Sequence, residues 1–523
     1  MFRESGMHLT RSRLSRLALA TLAVALMSVA AASSAIAAGT AKVTTTVMAA
    51  PLVSAEESGV AIPQIGTINL DKVGIIKVAP KREEAKNVLV LEPGTSAAAA
   101  YFVPLAKSLV EVTKGWQVWA VERRENFLEN QKELTRYKFG GLHEKENKAT
   151  KKEETAAEQF FNYYLGYLAN PNVKSHYLPV PGSLVEFAKQ WGMNVAVEDL
   201  KVVIDAAKEL GGKVVLGGHS LGGSVVTAYA TWDFGGKLAG KPGAEGLSGL
   251  VYDDGGSSPT PVSREEAEKS VEKLDNPSAT PWLAFGGISA PDLGLFSVTG
   301  STLTVVEPKG PSLLEGFAYL PPDLRSPIHP VTNEAGFGYS VNVGTSPASL
   351  IAAQIHGGLG VEEGAELDGL HGWNGTGALT PVRRYSEMLS GTGERNASGS
   401  EWYFPARLTL DTGAVAEGNA NPAQEVLGEH AIHGHELPKS LKILAIDSEL
   451  DKAVGSGNTL EAAEFLAEQS GIPKENLTLI NRAEAYAHND PAGAEPEGDI
   501  WANIFFRELV PYLEGIRTHG GGG

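Results

Sequence analysis

Short, largely apolar runs punctuate the chain, and most are followed by a glycine-containing turn and then a stretch with helical spacing. Residues 88–91, 117–121, 213–216, 247–252, 441–446 and 477–480 have the length and apolarity of strands buried on both faces. After Pro93-Gly94, Phe102, Leu105, Leu109 and Val112 recur at helical spacing. Leu200, Val203, Ile204 and Ala207 mark one side of a helix over 197–210 that Gly211-Gly212 stops. Further helices are expected over 224–232, 459–469 and 500–513, and a strand over 73–78. Strands alternating with helices across short turns predict an α/β fold, a mostly parallel sheet with helices on both faces.

The rhythm fails between 257 and about 438, where Gly, Pro and scattered aromatics replace it, among them Trp282, Phe285, Phe317, Tyr319, Trp373, Trp402 and Tyr403. The simplest organisation is one core in two parts, 85–256 and 438–518, interrupted by a cap or lid insertion over 257–437. An N-terminal extension (38–84) precedes the core and a flexible glycine tail (519–523) follows it. The aromatics read two ways, as the wall of a pocket for an apolar acyl or aryl group or as the insertion's own small core. The Lys/Glu run over 144–154 reads as a solvated helix face or loop.

The first 37 residues form an address. Arg11, Arg13 and Arg16 precede an apolar run over 17–32, and Ala35-Ile36-Ala37 offers a small-x-small cleavage site before Ala38. The expected destination is the exterior, either secreted or at the periplasm and cell envelope. No other stretch approaches the ~18 apolar residues of a span, so none is expected after cleavage.

Composition narrows the function. With 62 acidic against 44 basic residues the formal charge is −18, which repels nucleic acid and anionic membranes, and no nucleic-acid partner is expected. Hydrophobic residues at 42% and charged at 20% exclude wholesale disorder. The absence of cysteine excludes disulfides, thiolate metal sites and a cysteine nucleophile.

Candidate chemistry centres on Gly218-His219-Ser220-Leu221-Gly222. A serine between glycines, after a buried strand and before a helix, is the setting of a nucleophile elbow, with helix N-terminal amides beside the serine oxygen. On these residues the chain resembles the α/β-hydrolase superfamily, in particular its esterase and lipase-like members with a GHSLGG elbow, over about 85–256 and 438–515. The resemblance implies a triad in the order nucleophile, acid, histidine. It matches Ser220, then Asp451 after the strand at 441–446, then His488 before the last helix. Asp447 and Glu449 share the acid's loop, and Asp253 or Asp254 at the end of the earlier strand is the other candidate. The oxyanion hole is expected from the amide of Leu221 and from that of Thr95 or Ser96. In the latter turn this chain has Pro93-Gly94 where family members usually have His-Gly.

The expected reaction is cleavage of a small-molecule or polymeric carboxylic ester, with an apolar or aromatic part, through an acyl-enzyme and with no metal or other cofactor. A peptidase or acyltransferase on the same scaffold, or a non-catalytic binding protein, are the alternatives. His430, His433 and His435 are clustered enough to suggest a metal but read more simply as surface histidines. Glu122 and Arg123 read either as a brace near the site or as a solvated charge cluster.

Overall fold

The computed structural model describes residues 41–146, 151–236, 239–257, 260–285, 288–367, 369–391, 397–454, 459–496 and 503–518. The expected export signal and the glycine tail fall outside these residues. Among the described residues no helix is long and apolar enough to cross a membrane.

Eight strands form one sheet: β1 (Ala41–Ala49), β2 (Lys72–Pro80), β3 (Asn87–Glu92), β4 (Trp116–Glu122), β5 (Val214–His219), β6 (Gly249–Asp253), β7 (Lys442–Ile446) and β8 (Leu477–Ile480). Their order is β1-β2-β4-β3-β5-β6-β7-β8. β1 pairs antiparallel with β2 and β2 antiparallel with β4, and every later pairing is parallel. This is the α/β-hydrolase fold. Each central strand is buried along its length because helices cover both faces, and successive side chains enter opposite layers. Leu89, Leu91, Val215, Val251, Leu444 and Ile446 pack with α1 (Val103–Val112) and the C-terminal helix Ile504–Thr518. Val88, Val90, Leu216, Leu250, Ile443 and Ala445 pack under α2 (Met193–Lys208), α3 (Leu221–Thr231) and the helix Thr459–Ser470.

Residues 38–84, read from sequence as an extension, supply β1 and β2 to the sheet. The threonine-rich β1 lies at its edge, mostly half-buried or exposed, so it lacks the apolar run that marks a central strand. The segment 257–437 carries α4 (Arg264–Asp275), α5 (Ala290–Val306), α6 (Asn333–Val341) and α7 (Val382–Ser390). It is not a separate body. Leu295, Val298, Phe337, Tyr385 and Met388 join the layer beneath α1, whereas Phe404, Leu408, Val415 and Ala431 join the opposite layer.

The long excursion between β4 and α2 builds on the same structure. Tyr164 and Tyr177 meet Trp402 edge-on, with ring centroids 5.6 and 5.5 Å away. Trp282, Phe317, Trp402 and Tyr403 are all buried, Trp373 is half-buried, and Phe285 and Tyr319 face solvent. Most of the insertion's aromatics are therefore packed in the core. Lys145–Glu146 and Glu153–Glu154 pair antiparallel as a two-stranded sheet, mostly exposed, where the charge run suggested a helix face or loop.

Candidate active site

β5 ends at His219 and α3 begins at Leu221, so Ser220 alone makes the turn between them, at φ 54 and ψ −127. That backbone conformation costs about 1–3 kcal/mol in an L-residue and persists only where its surroundings enforce it. They do so by proximity. A Cβ on Gly218 would stand 2.3 Å from the carbonyl of Gly222, and one on Gly255 would stand 1.9 Å from the Ser220 carbonyl oxygen. The Ser220 N–H donates to the Asp253 carbonyl (3.0 Å), and the Gly223 N–H to the Ser220 carbonyl (2.8 Å). Ser220 and Leu221 stay half-buried, as do Thr95, Ser96, Gly255 and Gly256 around them, while the flanking Gly94, His219 and His488 are buried.

His488 follows β8, 1% exposed, and its Nδ1 bonds the carboxylate of Asp254. Asp254 lies just past β6 at φ 46, a left-handed position that Asp tolerates better than most residues. The Ser448 N–H donates to its Oδ1 (2.6 Å) and the Ser448 hydroxyl to its Oδ2. The loop after β7 thus supplies a donor to the carboxylate rather than the carboxylate itself.

Asp451, the acid preferred from sequence, is placed elsewhere. It sits in the short helix Glu449–Val454, its Oδ2 accepts the Thr459 N–H (2.7 Å), and burial together with the charge of Asp254 pushes its pKa up to about 6. The bond from Thr459 holds its carboxylate at the start of the next helix, and the carboxylate bonded to His488 is that of Asp254. Asp447 accepts the Arg482 N–H (2.7 Å). Asp253 is buried, neither carboxyl oxygen has a partner among the described residues, and desolvation raises its pKa well above the usual range. The partner of His488 is the alternative the sequence offered in Asp253-Asp254-Gly255-Gly256. Nothing in the sequence marked Ser448.

Two further contacts tie His219, the residue before Ser220, to His488. The ring of His219, next to the serine, lies 4.4 Å from the His488 ring, and its Nε2 bonds the His488 carbonyl (3.1 Å). Burial pushes the His219 pKa down to about 3, so the ring is neutral and Nε2 carries the proton donated to that carbonyl. Tyr101 stacks on the other side of His219 and donates to Asn489 Oδ1 (3.0 Å). The following residue, Asp490, is fully buried. It accepts from the Ala487 N–H (2.8 Å), the Thr380 hydroxyl (2.7 Å) and His356, whose Nδ1 lies 2.6 Å away. Residues on both sides of His488 are thereby tied down, partly by the inserted segment.

The turn after β3 approaches the serine closely enough that a Cβ on Gly94 would meet the Ser220 Cβ at 2.7 Å. Ser96 holds φ 56. The N–H groups of Thr95, Ser96 and Leu221 take no partner among the described residues. The anticipated Glu122–Arg123 brace has other members. Arg123 is buried against Glu92, Glu125 and Glu401, while Glu122 accepts the Ala99 N–H (3.3 Å). The strand ends at Glu122, and Arg123 already belongs to the turn that follows it, so the two side chains take different hydrogen-bond partners.

Among the described residues no cluster of His, Asp or Glu could hold a metal. His430 and His435 are exposed, and the buried His433 pairs with Glu436 and Asp233.

No protein-family model and no curated protein matches the chain by sequence. Solved structures similar to it include a soluble variant of monoglyceride lipase from Saccharomyces cerevisiae, with 12% identity, 90% of this chain and 100% of that chain covered, and a TM-score of 0.34. The monoacylglycerol lipase of Paleococcus ferrophilus shows 14%, 84% and 98%, and 0.32. A siderophore hydrolase of Aspergillus fumigatus shows 12%, 85% and 95%, and 0.28. Identity and superposition are both low, so the fold rests on the strand order of this chain and the site on its own geometry.

Proposed function

We propose that the chain is an exported serine hydrolase that cleaves carboxylic esters. The observation that carries this reading is a half-buried serine held in a strained turn, preceded by His219, whose ring contacts the buried His488, with His488 Nδ1 in turn fixed by the Asp254 carboxylate. Ser220 Oγ attacks the ester carbonyl carbon while its proton passes to His488 Nε2. Asp254 keeps the other proton on Nδ1 and stabilises the imidazolium that forms. The carbonyl oxygen becomes negative and is met by the N–H of Leu221 and by that of Thr95 or Ser96. The C–O bond to the alcohol then breaks as His488 returns its proton to the leaving oxygen, giving an acyl-serine. Water attacks that ester as His488 takes its proton, and the bond to Ser220 Oγ then breaks as His488 returns that proton to the serine oxygen, releasing the acid.

Asp254 serves as the acid in this scheme, and Asp451 has no part in it. The segment 257–437 acts as a cap, since it reaches the loops carrying His488 and Ser96. The chain is delivered outside the cell by the leader over 1–37. Purified mature protein should hydrolyse p-nitrophenyl esters across a series of acyl lengths, and Ser220→Ala should not. Turnover that appeared only with peptide substrates or alcohol acceptors would move the assignment to a peptidase or acyltransferase. Ester turnover retained in Ser220→Ala would remove it.

A further inference from the structure

One side chain holds the turn after β3 from beneath. Arg123, 4% exposed, donates from Nη1 to Glu92 Oε1 (2.9 Å) and the Pro93 carbonyl (2.8 Å). Its Nη2 donates to the carbonyls of Gly94 (3.0 Å) and Ala97 (2.9 Å) and to Glu401 Oε2 (2.5 Å). Three of these five acceptors are main-chain oxygens that bracket Thr95 and Ser96. The same turn is gripped from the side. The Glu401 N–H donates to the Ser96 carbonyl (2.9 Å), and the Ala98 N–H to the Gly399 carbonyl (2.9 Å). Glu401 therefore touches the turn through its backbone and the arginine through its carboxylate.

An N–H group stabilises an oxyanion only when it is already aimed at the place where charge will develop. Ser96 sits at φ 56, which an unrestrained loop would leave. We infer that Arg123 is a positioning residue for the proposed ester hydrolysis: it fixes the main chain at 93–97 so that the Thr95 and Ser96 amides face the oxygen beside Ser220, and Glu401 ties the inserted segment to that fixing point. The inference rests on the hydrolase reading. Lysine cannot replace this arginine, because three donors on one nitrogen cannot fork to five acceptors spread over a turn. The surroundings agree. Burial pushes Glu92 and Glu401 up to about 7 against the pull of the Arg123 charge, while burial disfavours the guanidinium charge and Glu401, Glu92 and Glu125 outweigh it.

Arg124 provides a matched control. It is 1% exposed and pairs with Asp199 (2.5 Å) and Glu57 (2.7 Å), with a main-chain bond to Pro51 (3.3 Å) and none to the turn. Arg123→Lys and Arg124→Lys would be compared for ester turnover per serine titrated with a fluorophosphonate. Their affinity for a trifluoromethyl ketone, whose adduct carries the oxyanion, would be measured beside it. Arg123→Lys should lose roughly 10- to 100-fold in kcat per titrated site with KM within about threefold, and ketone affinity should fall by a similar factor. Arg124→Lys should stay within about threefold on both counts even if its unfolding midpoint drops as far.

Equal per-site behaviour of the two variants would overturn the inference. Should Arg123→Lys not fold, Glu401→Gln decides instead. A loss of roughly 3- to 10-fold in per-site kcat at constant KM supports the inference, and a value within about twofold of wild type overturns it. A wild-type protein with no titratable serine would sink the hydrolase reading and this inference with it. That result is distinct from full titration with unchanged turnover in the variants.

Discussion

Replacing Asp254 with Asn removes one negative charge and reverses one hydrogen bond while leaving volume almost unchanged. The carboxylate accepts from the Ser448 N–H, the Ser448 hydroxyl and His488 Nδ1. An asparagine can keep its carbonyl oxygen on the Ser448 N–H, but its NH2 then faces the imidazole. His488 must turn its tautomer so that Nδ1 accepts, which leaves Nε2 protonated and unable to take the proton of Ser220. Turnover should fall about 10⁴-fold, or ~5.5 kcal/mol at ~1.36 kcal/mol per decade. Asp451→Asn changes nothing comparable, because an amide oxygen still accepts the Thr459 N–H. Its activity should stay within about threefold of wild type. The assay is p-nitrophenyl ester hydrolysis normalised to fluorophosphonate-titrated sites, with thermal unfolding run beside it to confirm that both variants fold. A larger loss in Asp451→Asn than in Asp254→Asn would refute the reasoning and return the acid to the loop after β7.

Ser220→Ala removes the hydroxyl but keeps a Cβ in the strained turn, whereas Ser220→Gly removes both, so the glycine variant should be about 1 kcal/mol more stable than the alanine variant in chemical denaturation; equal stability would mean the turn holds no strain. The hydrogen bond that His356 donates to Asp490 raises the pKa of His356 above its ordinary ~6.5. Folding therefore favours the protonated ring, and that contribution is complete below pH ~6.5 and fades as pH rises through the higher folded value. The stability gap between wild type and His356→Gln should accordingly narrow from pH 6 to pH 9, and a gap that held constant would contradict the pairing.

The central strands were legible because burial on both faces demands apolar runs such as Val88–Leu91. The elbow was legible for a steric reason, since Gly218 and Gly222 face each other too closely for any side chain. The acid was harder. Carboxylates follow both β6 and β7, and the choice depends on a short helix that turns Asp451 toward Thr459 while a left-handed residue turns Asp254 toward His488. β1 escaped notice because an edge strand needs only partial burial. The grip of Glu401 on Arg123 spans 278 positions and leaves no local pattern. The aromatics of the insertion were readable as apolar but not as core, because only the packing of Trp402 between Tyr164 and Tyr177 distinguishes a buried cluster from a substrate wall.

The account stands on one nucleophile. A fluorophosphonate probe reacted with the folded protein, followed by proteolysis and mass mapping of the adduct, should place a single phosphonyl group on Ser220. Labelling should disappear in Ser220→Ala and slow sharply in Asp254→Asn. An adduct on a different residue, or none on the folded wild-type protein, would contradict it.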